Sequence, residues 1–303
     1  MAVYPERDPK GVELSLTDEV REKQRLPPKQ NTLAGYLFRV PWWGLIIIGI
    51  GIFVYISIAA NEEYSRAFDQ LQEGIVITTQ VTVFSYLGGL TVGLLLAVAR
   101  SSYPKPKKGL IPGLFSILHL LAYNVATFFV EVMRGLPILV LLVIAAYIVT
   151  PAFKEFMLER FEIEITFRAT SVETCIIALS MAYGAFLSEI FRAGIQSIEK
   201  GQIEAAKSIG MNNFQVMRFI VLPQAVRRVL PPLGNDFIAM IKDSSLVAYI
   251  GVRDLTQVSN VYAGSNFRFV ETYLTVAVIY LTLTLIGSLL VRLLENHLKT
   301  ESR

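Results

Sequence analysis

The stretch from Trp42 to Ala60 is 19 residues long and carries no charge, and no other feature constrains this chain more. As a helix it would be roughly 28 Å long, enough to cross the hydrocarbon core of a bilayer. Further apolar stretches follow at 74–99, 110–150, 172–191, about 223–252 and 272–291. Composition agrees: 53% of the 303 residues are hydrophobic and only 17% charged, where a soluble domain carries about 25% charged residues. The pattern argues against a soluble enzyme, a disulfide scaffold and a disordered chain. A single cysteine, Cys175, rules out an intramolecular disulfide or a multi-cysteine metal site, and His119 and His297 form no ligand motif. The net charge of +3 is too small to imply nucleic acid, and the basic residues gather beside the apolar blocks instead. The lipid bilayer is therefore the first partner.

Residues 1–41 are polar and of mixed charge, with Pro27-Pro28 breaking any helix, and are expected to form a cytoplasmic tail. Trp42-Trp43 suits a membrane interface. Ala59-Ala60 resembles a signal-cleavage site, but the polar region ahead is too long and the apolar run exceeds a usual signal core. Residues 42–60 therefore read as an extra, uncleaved anchor. Thr78, Thr79, Thr82 and Ser85 form a polar stripe on the second stretch, and Gly89-x-x-x-Gly93 suits close helix packing.

Basic residues set the orientation. Residues 21–41 hold Arg21, Lys23, Arg25, Lys29 and Arg39 against Glu22, which places the N-terminus inside. Residues 61–73 carry Arg66 against four acids, which fits outside, and Arg100, Lys105, Lys107 and Lys108 return 100–108 to the inside. Residues 192–228 hold six positives against two acids and should also be inside. Only an odd number of crossings between 109 and 171 permits this. One crossing satisfies it, broken near Gly135-Pro137 and preceded by a tilted or interfacial helix. Six spans result, with both ends and the short 294–303 tail cytoplasmic.

The loop 197–223 reads SIEKGQIEAAKSIGMNNFQVMRFIVLP. Residues 202–209 can form two helical turns, with Ile203, Ala206 and Ile209 along one side. Gly210 is placed as a helix stop, and Asn212 with Gln215 can cap a new helix that runs apolar to Pro223. Such a short helix held between two spans can insert into a groove on a cytoplasmic partner.

Glu204-Ala205-Ala206, Gly210, Ile220 and Leu222-Pro223 stand at the spacing of the "EAA" loop of ABC-importer membrane subunits. A chance match at these positions is rarer than about one in ten thousand. Residues 74–293 are similar to the membrane subunit of polar amino acid ABC importers (the histidine, glutamine, glutamate, arginine and opine group). Glu131-Val-Met-Arg134-Gly135-Leu-Pro137, the stretch from Ala182 to Ile195, Pro231-Pro232-Leu233-Gly234-Asn235 and Lys242-Asp243-Ser244-Ser245-Leu246 each resemble a block of that family. Phe129, Leu136 and Ser244 depart from it, standing where the family has Tyr, Thr and Thr.

The resemblance implies an all-α, type I (MetI-like) membrane domain of five core helices, here with one extra N-terminal helix, in a prokaryotic cell membrane. It implies pairing with a second permease subunit, identical or homologous, on an ABC ATPase dimer, served by an extracytoplasmic amino-acid-binding protein. The chain has no G-x-x-x-x-G-K-[ST] phosphate loop, so ATP and Mg would be bound by the partner ATPase and no cofactor by this chain, which is then not itself an enzyme. The implied coupling residues are Gly201, Glu204, Ala205, Ala206, Gly210, Ile220, Leu222 and Pro223. Candidate pathway residues are ionisable or polar groups within apolar stretches: Glu131, Arg134, Tyr183, Glu189, Asn235, Asp236, Lys242, Asp243, Ser244 and Ser245. Pro231-Pro232 and Gly234 are expected to break their helix. Glu131/Arg134 and Glu189/Arg192 can equally be structural pairs at i,i+3 spacing, and Lys242-Asp243 can brace a subunit interface. An ion-gradient-driven secondary transporter and an ABC permease for another small solute remain the alternatives.

Overall fold

A computed structural model describes residues 49–53, 55–56, 60–104, 106 and 109–300, the side chains of residues 110 and 297–300 aside. The expected 1–41 tail lies outside the described residues, as does most of the 42–60 anchor, whose described positions are helical. Everything else described is helix or short connection, with no strand among the described residues.

Helix α1 spans Glu62–Ala99. It starts twelve residues before the expected span at 74, because Asn61 caps it: its side-chain oxygen accepts from the Glu63 N–H at 2.9 Å. Glu62 and Glu63 in the first turn suit the positive end of the helix dipole. Helix α2 is Leu110–Gly135 and α3 is Ile138–Phe161, so the 110–150 stretch divides into two helices near Gly135-Pro137, where a break was expected. The cause is Gly135-Leu136-Pro137, where Leu136 is forced into an extended conformation ahead of proline. Helix α4 is Val172–Gln196, the short α5 is Lys200–Ser208, and α6 runs from Asn213–Val216 through a π-turn at Met217–Val221 into Leu222–Asp243. A 3₁₀ segment, Ser244–Ile250, leads to α7, Leu255–Asn266, and α8, Phe269–Thr300. Residues 294–300 therefore continue a helix.

Among the described residues, five helices are long and apolar enough to cross a membrane: α1, α2, α3, α4 and α8. The expected 223–252 span is not among them, since Arg227, Arg228, Asp236, Lys242 and Asp243 interrupt it.

The core forms where α1 crosses α4. Gly93 of α1 is so close to α4 that a Cβ there would stand 3.0 Å from the Gly184 carbonyl oxygen, and a Cβ on Gly184 would meet Val92 at 2.5 Å. Around this contact Val81, Leu142, Ala146, Cys175, Leu179, Leu187, Met240 and Val247 pack into one cluster drawn from α1, α3, α4, α6 and the 3₁₀ segment. In lipid, such close packing rather than removal from water holds helices together, so exposed side chains such as Leu95 and Phe128 carry no penalty there.

At the other end of α1, α7 is seated by Asp254. This fully buried carboxylate accepts from the N–H groups of Gln257 at 2.9 Å and Thr256 at 3.2 Å, while Leu255 donates to Thr78 Oγ1 at 3.0 Å.

Prolines behave differently from the expectation of breaks. Helix α6 continues through Pro223, Pro231 and Pro232. Two residues before Pro223 a π-turn ends, and the Leu222 N–H reaches back five residues to the Met217 carbonyl. The α3 helix does the same before Pro151, with Thr150 bonded to Ala145. A proline lacks the N–H and its ring strikes the carbonyl four residues back, and the wider turn moves that carbonyl aside. Gly234 is no break either: it lets α6 pack against Val291 of α8.

Candidate functional site

The loop 197–223 folds into a knob. Helix α5 ends at Ser208 in a paired turn: the Gly210 N–H bonds the Lys207 carbonyl at 3.0 Å, and the Met211 N–H bonds that of Ala206 at 3.2 Å. This Schellman arrangement needs a left-handed residue after the helix, and Gly210 has φ +87°. Asn212 and Gln215 then form a reciprocal capping box, each side chain bonding the other's N–H at 2.9 Å. Ala206, Ile198, Val216 and Val221 make a small core beneath α5. Ile203 packs against it, but Ile209 does not share that side as expected; it is 80% exposed. The helix has already ended, and the turn at Gly210 throws Ile209 outward. Phe214 is also 69% exposed, and Glu204, Ala205 and Lys207 face out. Gly201 is exposed, and a Cβ added there would have no neighbour within 4 Å. Ile220 is half-buried against the small core, and Leu222 and Pro223 are exposed.

The knob is tied to both flanking helices. Gln224 of α6 donates to Gln202 of α5 at 2.7 Å, and the Arg228 guanidinium bonds the Ser197 carbonyl where α4 ends.

Two polar clusters lie above it. In the first, Glu189 of α4 accepts from Arg100 at 2.6 Å on one oxygen and from Arg192 at 2.6 and 3.1 Å on the other. Arg134 approaches Glu189 at 3.8 Å, and Glu131 approaches Arg100 at 3.9 Å. So Glu189 and Arg192 do pair at i,i+3, whereas Glu131 and Arg134 turn to other helices. Arg100, only 8% exposed, is the residue sequence reasoning missed as a site. Its partner is 89 positions away, and no local spacing could announce it.

The second cluster lies farther along α4, where the Tyr183 hydroxyl donates to Asp243 at 2.7 Å. Asp236 is half-buried one to two turns back on α6, and Asn235 and Lys242 are exposed on that helix. Tyr86 donates to the Leu233 carbonyl at 2.6 Å and sets its ring edge-on to Phe237. The hydroxyls of Ser244 and Ser245 are turned back onto the carbonyls of Ile241 and Lys242, and Ser244 is fully buried.

Known proteins resemble this chain over most of its length. The glutamine transport system permease protein GlnP of Escherichia coli is 35% identical over 77% of this chain and 94% of its own length. The probable amino-acid permease protein YxeN of Bacillus subtilis is 35% identical over 78% of this chain and 95% of its own. Among solved structures, the crystal structure of an amino acid ABC transporter with histidines superposes with a TM-score of 0.61 at 31% identity, covering 77% of this chain and 96% of that one. The inward-facing MetNI methionine ABC transporter has the same fold, with a TM-score of 0.57 at 19% identity over 76% of this chain and 96% of that one. Residues 109–300 match the family described as the binding-protein-dependent transport system inner membrane component. The chain belongs to that family, the multi-pass permease subunits of ABC importers, in which separate ATPase subunits hydrolyse the ATP.

Proposed function

We propose that this permease carries a polar amino acid inward, driven through α5 by a partner ATPase. The observation that carries the reading is the knob itself: a capped element that leaves Ile209, Phe214 and Glu204 exposed while hydrogen-bonding both α4 and α6. Exposed apolar anchors ringed by polar groups are what a partner's groove would bury. The amino-acid cargo follows the relatives named above and suits the second cluster. A zwitterion needs acceptors for its ammonium and donors for its carboxylate, and Asp236, Asp243, Tyr183, Asn235 and Lys242 supply both along α4 and α6.

The permease works as a pair. Asn235 and Lys242 lie seven residues apart on one face of α6, and both side chains are exposed. Polar groups on a helix within the membrane need water or a partner, and a second permease subunit across that face would enclose a wet path. The external amino-acid-binding protein delivers cargo at the opposite end from α5.

Orientation follows from the charges and the clusters together. The end of α1 with Arg100, the end of α4 and the knob share one side, inside the cell by their basic residues. Helix α2 begins beside Lys108 and ends beside Arg100, so both its ends lie on that side. It is then a tilted, lipid-exposed helix that completes no crossing. The membrane is crossed by α1, α3, α4, α6 with its 3₁₀ extension, and α8.

The test uses the assembled complex in proteoliposomes. Wild type should couple uptake of a polar amino acid to ATP hydrolysis. Ile209→Asp with Phe214→Asp should release the ATPase from the complex while the permease keeps its thermal stability, and Glu204→Lys should abolish uptake. Normal uptake in both variants would refute the coupling role.

A further inference from the structure

We propose that Arg100 is a positioning residue for energy coupling, a hub that holds Glu189 in the state described here and takes Glu131 on its other edge when α5 moves. This rests on the coupling role of α5 given above.

A guanidinium has two faces for carboxylates: an end pair of nitrogens, and a side edge made by Nε and Nη2. Arg100 bonds Glu189 through Nη1 at 2.6 Å. Its Nε is buried and has no hydrogen-bond partner. Its Nη2, on the same edge as Nε, lies 3.9 Å from Glu131, too far for a hydrogen bond. The nearest carboxylate to the vacant edge is therefore the one that could fill it. A shift of about 1 Å would bring it to the charge-assisted distance. The Glu131 side chain is 66% exposed, so nothing holds it back. Arg134, at 3.8 Å from Glu189, is placed to take over the oxygen that Arg100 would give up. Glu189 meanwhile stays anchored by Arg192 on its other oxygen.

The five residues sit where movement of α5 would be felt. Arg100 ends α1, Glu131 and Arg134 are in the last two turns of α2, and Glu189 and Arg192 are in the last two turns of α4, which leads directly into α5. An ion pair around a buried arginine is seldom the most stable filling for its space, since apolar packing does as well. What it can do is favour discrete arrangements over a continuum. Three arginines against two glutamates allow two pairings of similar character, one of them formed here and the other one step away.

Lysine at position 100 keeps the charge and one bond but has no second edge, and this separates the hub from a plain salt bridge. In the reconstituted complex with ATPase and binding protein, Arg100→Lys and Glu131→Gln should assemble with near-normal thermal stability. ATP hydrolysed per amino acid transported should rise at least several-fold. Spin labels at the ends of α1 and α2 should approach on nucleotide trapping in wild type and stay apart in both variants. A wild-type ratio in Glu131→Gln, whose exposed site leaves folding intact, overturns the proposal, as does an unchanged approach of the labels in Arg100→Lys. Should Glu204→Lys also couple normally, the coupling role of α5 has failed; should it uncouple while these variants do not, only the hub has.

Discussion

Gly210 and Gly201 stand nine residues apart in the same loop, yet they answer to different demands. At both, an added methyl would meet nothing within 4 Å, so space decides neither. Gly210 has φ +87° and Gly201 has no such conformation. Alanine at 210 should therefore cost about 1 kcal/mol of local stability, loosen the turn that aims Ile209, and lower uptake. Alanine at 201 lies inside α5, where replacing glycine should stabilise by about 0.5–1 kcal/mol. Thermal unfolding of the two purified variants checks this, and equal shifts would show that the turn is not what Gly210 supplies. If Gly201→Ala is stable but transports poorly, the glycine serves the partner's surface, since nothing in this chain needs it. Legibility at this scale was uneven. The helix stop and the Asn212–Gln215 box could be read because they are local, three residues apart. Ile209 could not, because its direction is set by a backbone reversal one residue later. Arg100–Glu189 and Tyr183–Asp243 could not either, since only tertiary packing joins them.

Among the elements, α7 carries a titration of its own. Asp254, at its N-cap, lies outside the five long apolar helices and is fully buried. Burial pushes its carboxyl up to about 6 from the usual 3.8, against the pull of the Gln257 and Thr256 N–H groups, which favour the charged form. The folded protein therefore holds this proton more tightly than the unfolded chain. The contribution of Asp254 to stability should be greatest below about pH 4, fall between about pH 4 and pH 6 by about 3 kcal/mol, and level off above. Asp254→Asn keeps an acceptor for the cap and removes the titration, so its melting temperature in detergent should lose that fall. An identical slope in the variant would assign the titration elsewhere. Helix content itself was readable from apolar length, but the helix inventory was not. Pro231-Pro232 looked like a break and α6 runs through it, and π-turns ahead of Pro223 and Pro151 let those helices run on as well. The break near Gly135-Leu-Pro137 could be read, because proline disfavours a helical residue before it.

For the whole molecule, the parity of crossings is the property on which the proposed inward position of α5 depends. Composition alone selects α2 as a span and passes over α6, because α2 holds a long apolar window and α6 carries charges along its length. Counting by hydropathy would then give two crossings between 109 and 171 and put α5 outside. The ion pairs favour the proposed topology instead: Glu131 and Arg134 near the end of α2 reach Arg100 and Glu189, at the ends of α1 and α4. Tyr103 also lies edge-on to Tyr123 at 5.3 Å, so the chain just past Arg100 sits against the middle of α2. A segment carrying Lys105, Lys107 and Lys108 would be costly to pass through hydrocarbon on its way to the start of α2. Single cysteines at Gly109, Gly135 and Gly210, in a Cys175→Ala background, should all be labelled by a membrane-impermeant thiol reagent from the cytoplasmic side. A cysteine at Gly264 should be labelled from the outside only. Labelling of Gly109 and Gly135 from opposite sides would make α2 a full crossing, and α5 would then face away from any source of ATP.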